Sequence, residues 1–217
     1  MVVISLGGSL LYDDKGAVNR GYLKRIAPLL KGSAIVVGGG SLARRYAERA
    51  RAKTHSEFWA DRAAIKATRE NARLVARACG GKYCKAFDAA LAVWRRGGTP
   101  VMGGMIEGLT TDADAVLLAE CLGEKRLVNA SKVAGIYDRD PSKKGAKMFK
   151  KMTHAQLAAF AARFDERKAR TNFPFDLVAC KLAARSKIRV DFVDGRNPSR
   201  LRSVLAGRAA GGTVVEY

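Results

Sequence analysis

Histidine is nearly missing from this 217-residue chain, with only His55 and His154, and cysteine is confined to Cys79, Cys84, Cys121 and Cys180. No two cysteines stand as CxxC, so a zinc site and a disulfide framework both lack the pattern they need, and a reducing compartment is expected. Long hydrophobic runs are absent too. Residues 2–6 and 34–37 fall far short of the roughly 18 apolar residues that span a bilayer. No basic segment followed by an apolar stretch and a small-residue cleavage site opens the chain, so a cytoplasmic location with no membrane partner is expected. Aromatic residues make up only 7%, too few to suggest a base-stacking platform. Acidic residues are scarce as well, 20 against 40 Lys plus Arg, which leaves a formal charge of +20 and a pI near 10.3. GxxxxGK[ST] and G-x-S-x-G do not occur, which removes P-loop NTPases and leaves serine-hydrolase chemistry unsupported.

What is present is enough apolar residue, 48%, to bury a core and fold as one domain. Short β-branched runs at 2–6, 34–37, 100–102, 126–129 and 188–193 alternate with helical spacing at 23–30, 42–52, 63–78, 89–94, 113–122, 155–164 and 178–184. That alternation predicts an α/β sandwich with a mostly parallel sheet. The nearest thing to a linker is 138–151, rich in Lys, Gly and Asp. Residues 1–122 carry +8 and residues 123–217 carry +12.

Three glycine clusters fall where strands should end: Gly7-Gly8-Ser9, Gly38-Gly39-Gly40-Ser41 and Gly103-Gly104. In open α/β sheets ligands bind beyond the carboxyl ends of the strands. Glycine there lets backbone N–H groups approach an anion, and a following helix N-terminus adds a favourable dipole. Three such loops on one sheet edge can hold several phosphates. Residues 38–43 also satisfy G-x-G-x-x-[GA], but the acidic residue expected about 20 positions on is Asp61, inside a helical stretch, which disfavours a dinucleotide-binding dehydrogenase.

These residues, in order, resemble the amino acid kinase superfamily and within it the archaeal-type uridylate kinases. The likeness is carried by VISLGGSL at 3–10, VVGGGSLARRY at 36–46, DRAAIKATRENARL at 61–74, PVMGG at 100–104, TTDA at 110–113, GIYDRDP at 135–141 and SKIRV at 186–190. It implies a three-layer αβα sandwich, with an acceptor lobe over 1–122 and an ATP lobe over 123–217. It also implies transfer of a phosphoryl group from ATP to UMP, with Mg²⁺ held mainly through the ATP phosphates, no protein metal ligand, and a homo-oligomer, usually a hexamer. Carried over by position, Gly8, Ser9, Gly40 and Arg44 would meet the ATP phosphates, and Ser131, Tyr137 and Asp140 would line the adenine and ribose pocket. Gly39 and Asp61 would face UMP, Asp61 accepting from the ribose hydroxyls. Met105, Ile106, Glu107, Gly108, Leu109, Thr110 and Thr111 would wrap the UMP base and phosphate, and Asp112 would orient the cations at the centre.

The chain departs from the family pattern in four places. Ser5 replaces the lysine that many members carry before the first glycine turn, so another cation is needed, Arg44 first and Lys132 second. Residues 105–109 read MIEGL where the family has THPGH, Ala134 replaces an acid, and Arg170 replaces a glycine in a segment at 169–176 that otherwise resembles the family's AGTYNVFD. Two other readings stay open from sequence: another small-molecule kinase of the superfamily, and a regulatory or RNA-binding relative that has lost catalysis. Against the latter, the arginines sit singly on helix faces, and a nucleic-acid partner is not expected.

Overall fold

The computed structural model describes residues 2–163 and 175–217. Eight strands form one sheet: β1 (Val3–Leu6), β2 (Ala34–Val37), β3 (Lys82–Tyr83), β4 (Pro100–Met102), β5 (Arg126–Ser131), β6 (Lys151–Thr153), β7 (Arg189–Asp194) and β8 (Thr213–Glu216). Their spatial order is β3-β4-β2-β1-β5-β7-β8-β6, parallel throughout except at the β7–β8 pair. The helices are α1 (Arg20–Leu30), α2 (Gly40–Thr54), α3 (Glu57–Cys79), α4 (Phe87–Arg95), α5 (Thr111–Cys121), α6 (His154–Ala162), α7 (Leu177–Arg185) and α8 (Pro198–Leu205), with a 3₁₀ turn at Gly8–Leu11.

The central strands are buried on both faces, as a parallel sheet requires. Successive residues therefore feed two separate cores. Val3, Val36 and Leu127 pack with Val116 and Leu118 of α5, whereas Ile4, Ile35 and Val128 pack with Ile26 of α1, Val75 of α3 and Leu201 of α8. This is the three-layer αβα sandwich the sequence predicts. By the same alternation Ser5, between Ile4 and Leu6, points with Val3 toward α5. Asn129, its register partner on β5, points the same way.

Helix ends are built from local chemistry. Thr110 caps α5 by accepting from the Ala113 N–H, Thr153 and Gln156 form a capping box on α6, and Asn197 with Pro198 starts α8. The stretch at 138–151, nearest to a linker in composition, is tied back to its own flanks. Tyr137 bridges Met148, the Asp138 N–H donates to Lys147 O at 3.0 Å and the Phe149 N–H to Ile136 O at 2.9 Å, so this stretch is a loop closed on itself. The helix expected to reach residue 164 ends at Ala162, and residues 164 and 169–174 lie outside the described residues. Within the segment that resembles the family at 169–176, Phe175 is fully buried and Asp176 caps α7.

Leu118 of α5 is fully buried beneath β1 and β2. Truncation there leaves a cavity between sheet and helix, so Leu118→Ala is expected to destabilise the fold by about 2–5 kcal/mol in urea unfolding.

Candidate active site

The turns after β1 and β2 meet in direct contact. Parallel neighbours in register end side by side, and the Gly38 N–H donates to Leu6 O at 2.9 Å. A Cβ on Gly8 would sit inside the Gly38 carbonyl, and one on Gly40 would sit inside Gly8 and Ser9. Gly40 moreover holds φ at 59°, which favours glycine. Only glycines allow two backbone turns to approach this closely, and the result is a lip of main-chain N–H groups at the N-terminal end of α2. Ser131 closes its other side, since a Cβ on Gly7 would touch it and the Gly7 N–H donates to Ala130 O.

At the floor of this edge stands Asp112, in the first turn of α5. Its Oδ1 accepts from Ser5 Oγ at 2.7 Å and from Asn129 Nδ2 at 2.9 Å. Where the sequence predicts a carboxylate orienting cations, the structure finds both donors neutral. Its carboxyl is deeply enclosed although the residue as a whole is only half-buried. Burial, reinforced by nearby Asp176 and Asp114 against the Ser5 and Asn129 hydrogen bonds, pushes it up to about 7. Asp114, two residues on in α5, is pushed up to about 6, chiefly by burial. Its Oδ2 accepts from the Met105 N–H at 3.1 Å, fixing the start of the 105–109 loop. Thr110 donates to Asp176, joining the α5 and α7 caps.

Asp61, Arg44 and the 105–109 loop come together on the α2–α3 side. Arg44, Asp61 and Ala64 line one open pocket between these helices, and Asp61 Oδ2 accepts from the Gly108 N–H at 3.0 Å. Glu107 lies 3.9 Å from Arg62, a loose ion pair. Ile106 is half exposed at the loop tip. Arg44 is thus nearer the expected acceptor side than the ATP side. Ser131 and Tyr137 group at the ends of β5 and β7, beside the Gly195-Arg196 turn, where the Gly195 N–H donates to Ser131 O. Asp140 stands apart on the exposed loop, held below its ordinary value by the Ser142 N–H and hydroxyl. Lys132 is exposed. Among the described residues no three His, Cys, Asp or Glu side chains gather as a metal site.

Thr68, Arg69 and Asn71 carry no motif role in the sequence, yet this one turn of α3 holds both loops. Thr68 Oγ1 accepts from the Gly104 N–H at 2.7 Å, and Arg69 donates to Gly104 O and Met105 O. Asn71 Nδ2 donates to Gly38 O and Gly39 O. A signal existed: Thr68 and Asn71 are buried polar residues among Ile65, Ala72 and Val75 on the packed side of the helix.

A glycine-lipped edge beyond parallel strands, with a pocket lined by Arg44 and Asp61 beside it, suits a phosphate-handling α/β protein. The chain belongs to the amino acid kinase family, whose sequence model matches residues 1–194. It is 38% identical to the uridylate kinase of Halorubrum lacusprofundi, covering 99% of this chain and 92% of that protein, and 37% identical to that of Methanocaldococcus jannaschii, covering 99% of each. Its structure superposes on the crystal structure of uridylate kinase from Archaeoglobus fulgidus with a TM-score of 0.83 at 33% identity, covering 99% of both chains.

The raised carboxyls have a measurable consequence. The fold holds these protons more tightly than the unfolded chain, whose Asp titrates near 3.8. The stability they contribute is therefore full below about pH 4 and lost as pH rises to about 7. Asp112→Asn removes the larger share. Relative to wild type, it is expected to gain on the order of 2 kcal/mol between pH 5 and pH 8 in urea unfolding.

Proposed function

We propose that this protein is a UMP kinase, transferring the γ-phosphoryl group of ATP to UMP to give UDP and ADP in pyrimidine nucleotide biosynthesis. The observation that carries the reading is the convergence, at one sheet edge, of the Cβ-free Gly8–Gly38–Gly40 contact, the Asp61 pocket and the Thr110–Asp112 helix start. Full-length similarity to uridylate kinases supports it. Residues 1–122 would form the acceptor half and residues 123–217 the ATP half, with β1 and β5 side by side at the junction.

The chemistry needs little from the protein beyond position and charge. UMP's phosphate has a second pKa of about 6, so the attacking oxygen is already anionic near neutrality and no general base is required. The loose transition state spreads charge over equatorial oxygens, which N–H donors and cations stabilise. Gly8, Ser9 and Gly40 would offer such donors to the ATP phosphates, and Gly39 would face UMP. Asp61, an acceptor-only carboxylate, suits ribose hydroxyls, while Thr110 and Thr111 at the start of α5 would flank the acceptor phosphate. Ser131 and Tyr137 would border the adenosine, with Asp140 at its outer edge. Mg²⁺, carried on the ATP phosphates, would neutralise charge on the transferring group. With Ser5 spent on Asp112, Arg44 is the first candidate for the protein's own cation and Lys132 the second. A cytoplasmic homo-oligomer, a hexamer in the resembling family, completes the proposal. The half-exposed Phe58 and Trp59 at the start of α3 offer apolar surface for assembly.

Coupled ADP release over UMP, CMP, dUMP, isopentenyl phosphate and acetylglutamate, with and without Mg²⁺, tests the reading. UMP with Mg²⁺ is expected to be the best pair. ADP release that ignores UMP, or a preference for a non-nucleotide acceptor, overturns it. Arg44→Ala is expected to lower kcat by about 10²-fold, the scale of losing a transition-state donor. A change within about threefold would remove Arg44 from that role.

A further inference from the structure

We propose that Asn71 is the positioning residue that turns two consecutive main-chain N–H groups of the second glycine loop outward to receive phosphate. Asn71 is fully buried on α3. Its single carboxamide donates both hydrogens, to Gly38 O at 2.8 Å and to Gly39 O at 3.1 Å. In a trans peptide the C=O and the following N–H point in opposite directions, and the described chain has no cis bond. Two carbonyls drawn toward α3 therefore aim the Gly39 and Gly40 N–H groups away from it. As cap and first residue of α2, neither has an acceptor within the helix.

The amide's orientation is itself determined. Two carbonyls demand the NH₂ side, which leaves Oδ1 for the Tyr12 hydroxyl at 2.6 Å. Tyr12 directly follows the 3₁₀ turn of the first glycine loop, so Asn71 holds the two loops in one register through a three-residue chain of hydrogen bonds. An aspartate there would repel both carbonyls, and a leucine would leave Gly38 O without this donor and Gly39 O with the Ala43 N–H of α2 alone, at 3.2 Å.

This inference rests on the kinase reading for its catalytic effect but not for its geometry, so the experiment separates the two. In glycine-selective ¹⁵N spectra of the full chain, the Gly39 and Gly40 amides are expected to shift saturably with inorganic tripolyphosphate. In Asn71→Ala the same shifts are expected to need at least tenfold more tripolyphosphate. With ATP and UMP, kcat should fall about 10²-fold while KM for UMP stays within threefold. Amides that ignore tripolyphosphate in wild type, or a folded Asn71→Ala that binds and turns over within threefold of wild type, overturn the proposal. Should Asn71→Ala not fold, Asn71→Leu carries the same comparison at matched volume, and the wild-type titration decides on its own. Amides that respond in a protein inactive on UMP would sink the UMP reading and leave this one standing.

Discussion

Everything at the active edge depends on one steric constraint, the contact between the backbone turns that follow β1 and β2. Gly8 lies against the Gly38 carbonyl and Gly40 against Gly8 and Ser9, with no space for a single Cβ at either. Parallel pairing brings the two strand ends level, and glycine lets the chain exploit that level by packing main chain on main chain. The same closeness leaves the turns with few side chains of their own. Their orientation is imposed from outside, by α3 for the second turn and by β5 and Ser131 for the first. α3 is long enough to serve two ends: its first turns carry Asp61 to the pocket shared with Arg44, and its middle carries Thr68, Arg69 and Asn71 to the loops.

The electrostatics of the floor follow from what stands beside Asp112. Three carboxylates, Asp112, Asp114 and Asp176, cluster around the α5 and α7 caps, with neutral donors on Asp112. Burial pushes the Asp112 carboxyl up to about 7, and Ser5 offers it a neutral hydroxyl where a lysine would bring a full charge. Under the proposed function the positive charge missing at β1 would come from the helix side, where Arg44 shares a pocket with Asp61. The overall charge of +20 is a poor guide to that need, because +12 of it is carried by residues 123–217, outside α2 and α3.

Strands ending in glycine were legible because each joins an apolar run to a sharp change in composition, and the helices between them because their apolar spacing is regular. β3, β6, β8 and α8 were not singled out. β3 is two residues long, β6 contains one apolar residue between Lys151 and Thr153, and β8 takes its identity from pairing with both β6 and β7. α8 announces itself with Asn197-Pro198, but Arg200 and Arg202 dilute its apolar spacing. In the site the glycines stood out by type and position, and Asp61 and Asp112 through the family resemblance. Asn71 did not, because its role exists only once α3 is laid across the second glycine turn. Asp112's neutral company was hidden for the same reason: Ser5, Asn129 and Asp112 lie on three separate elements that only the sheet order unites.

Under the proposed function this main-chain cradle passes phosphoryl from ATP to the phosphate of UMP. Phosphorus-31 NMR of the protein with ATP, Mg²⁺ and UMP reads that transfer directly, since it reports where the phosphorus goes. The UMP resonance is expected to be replaced by the two coupled resonances of UDP, in step with the loss of ATP γ-phosphorus and the rise of ADP. Gamma-phosphorus appearing as inorganic phosphate while UMP persists, or spectra that do not change, would contradict it.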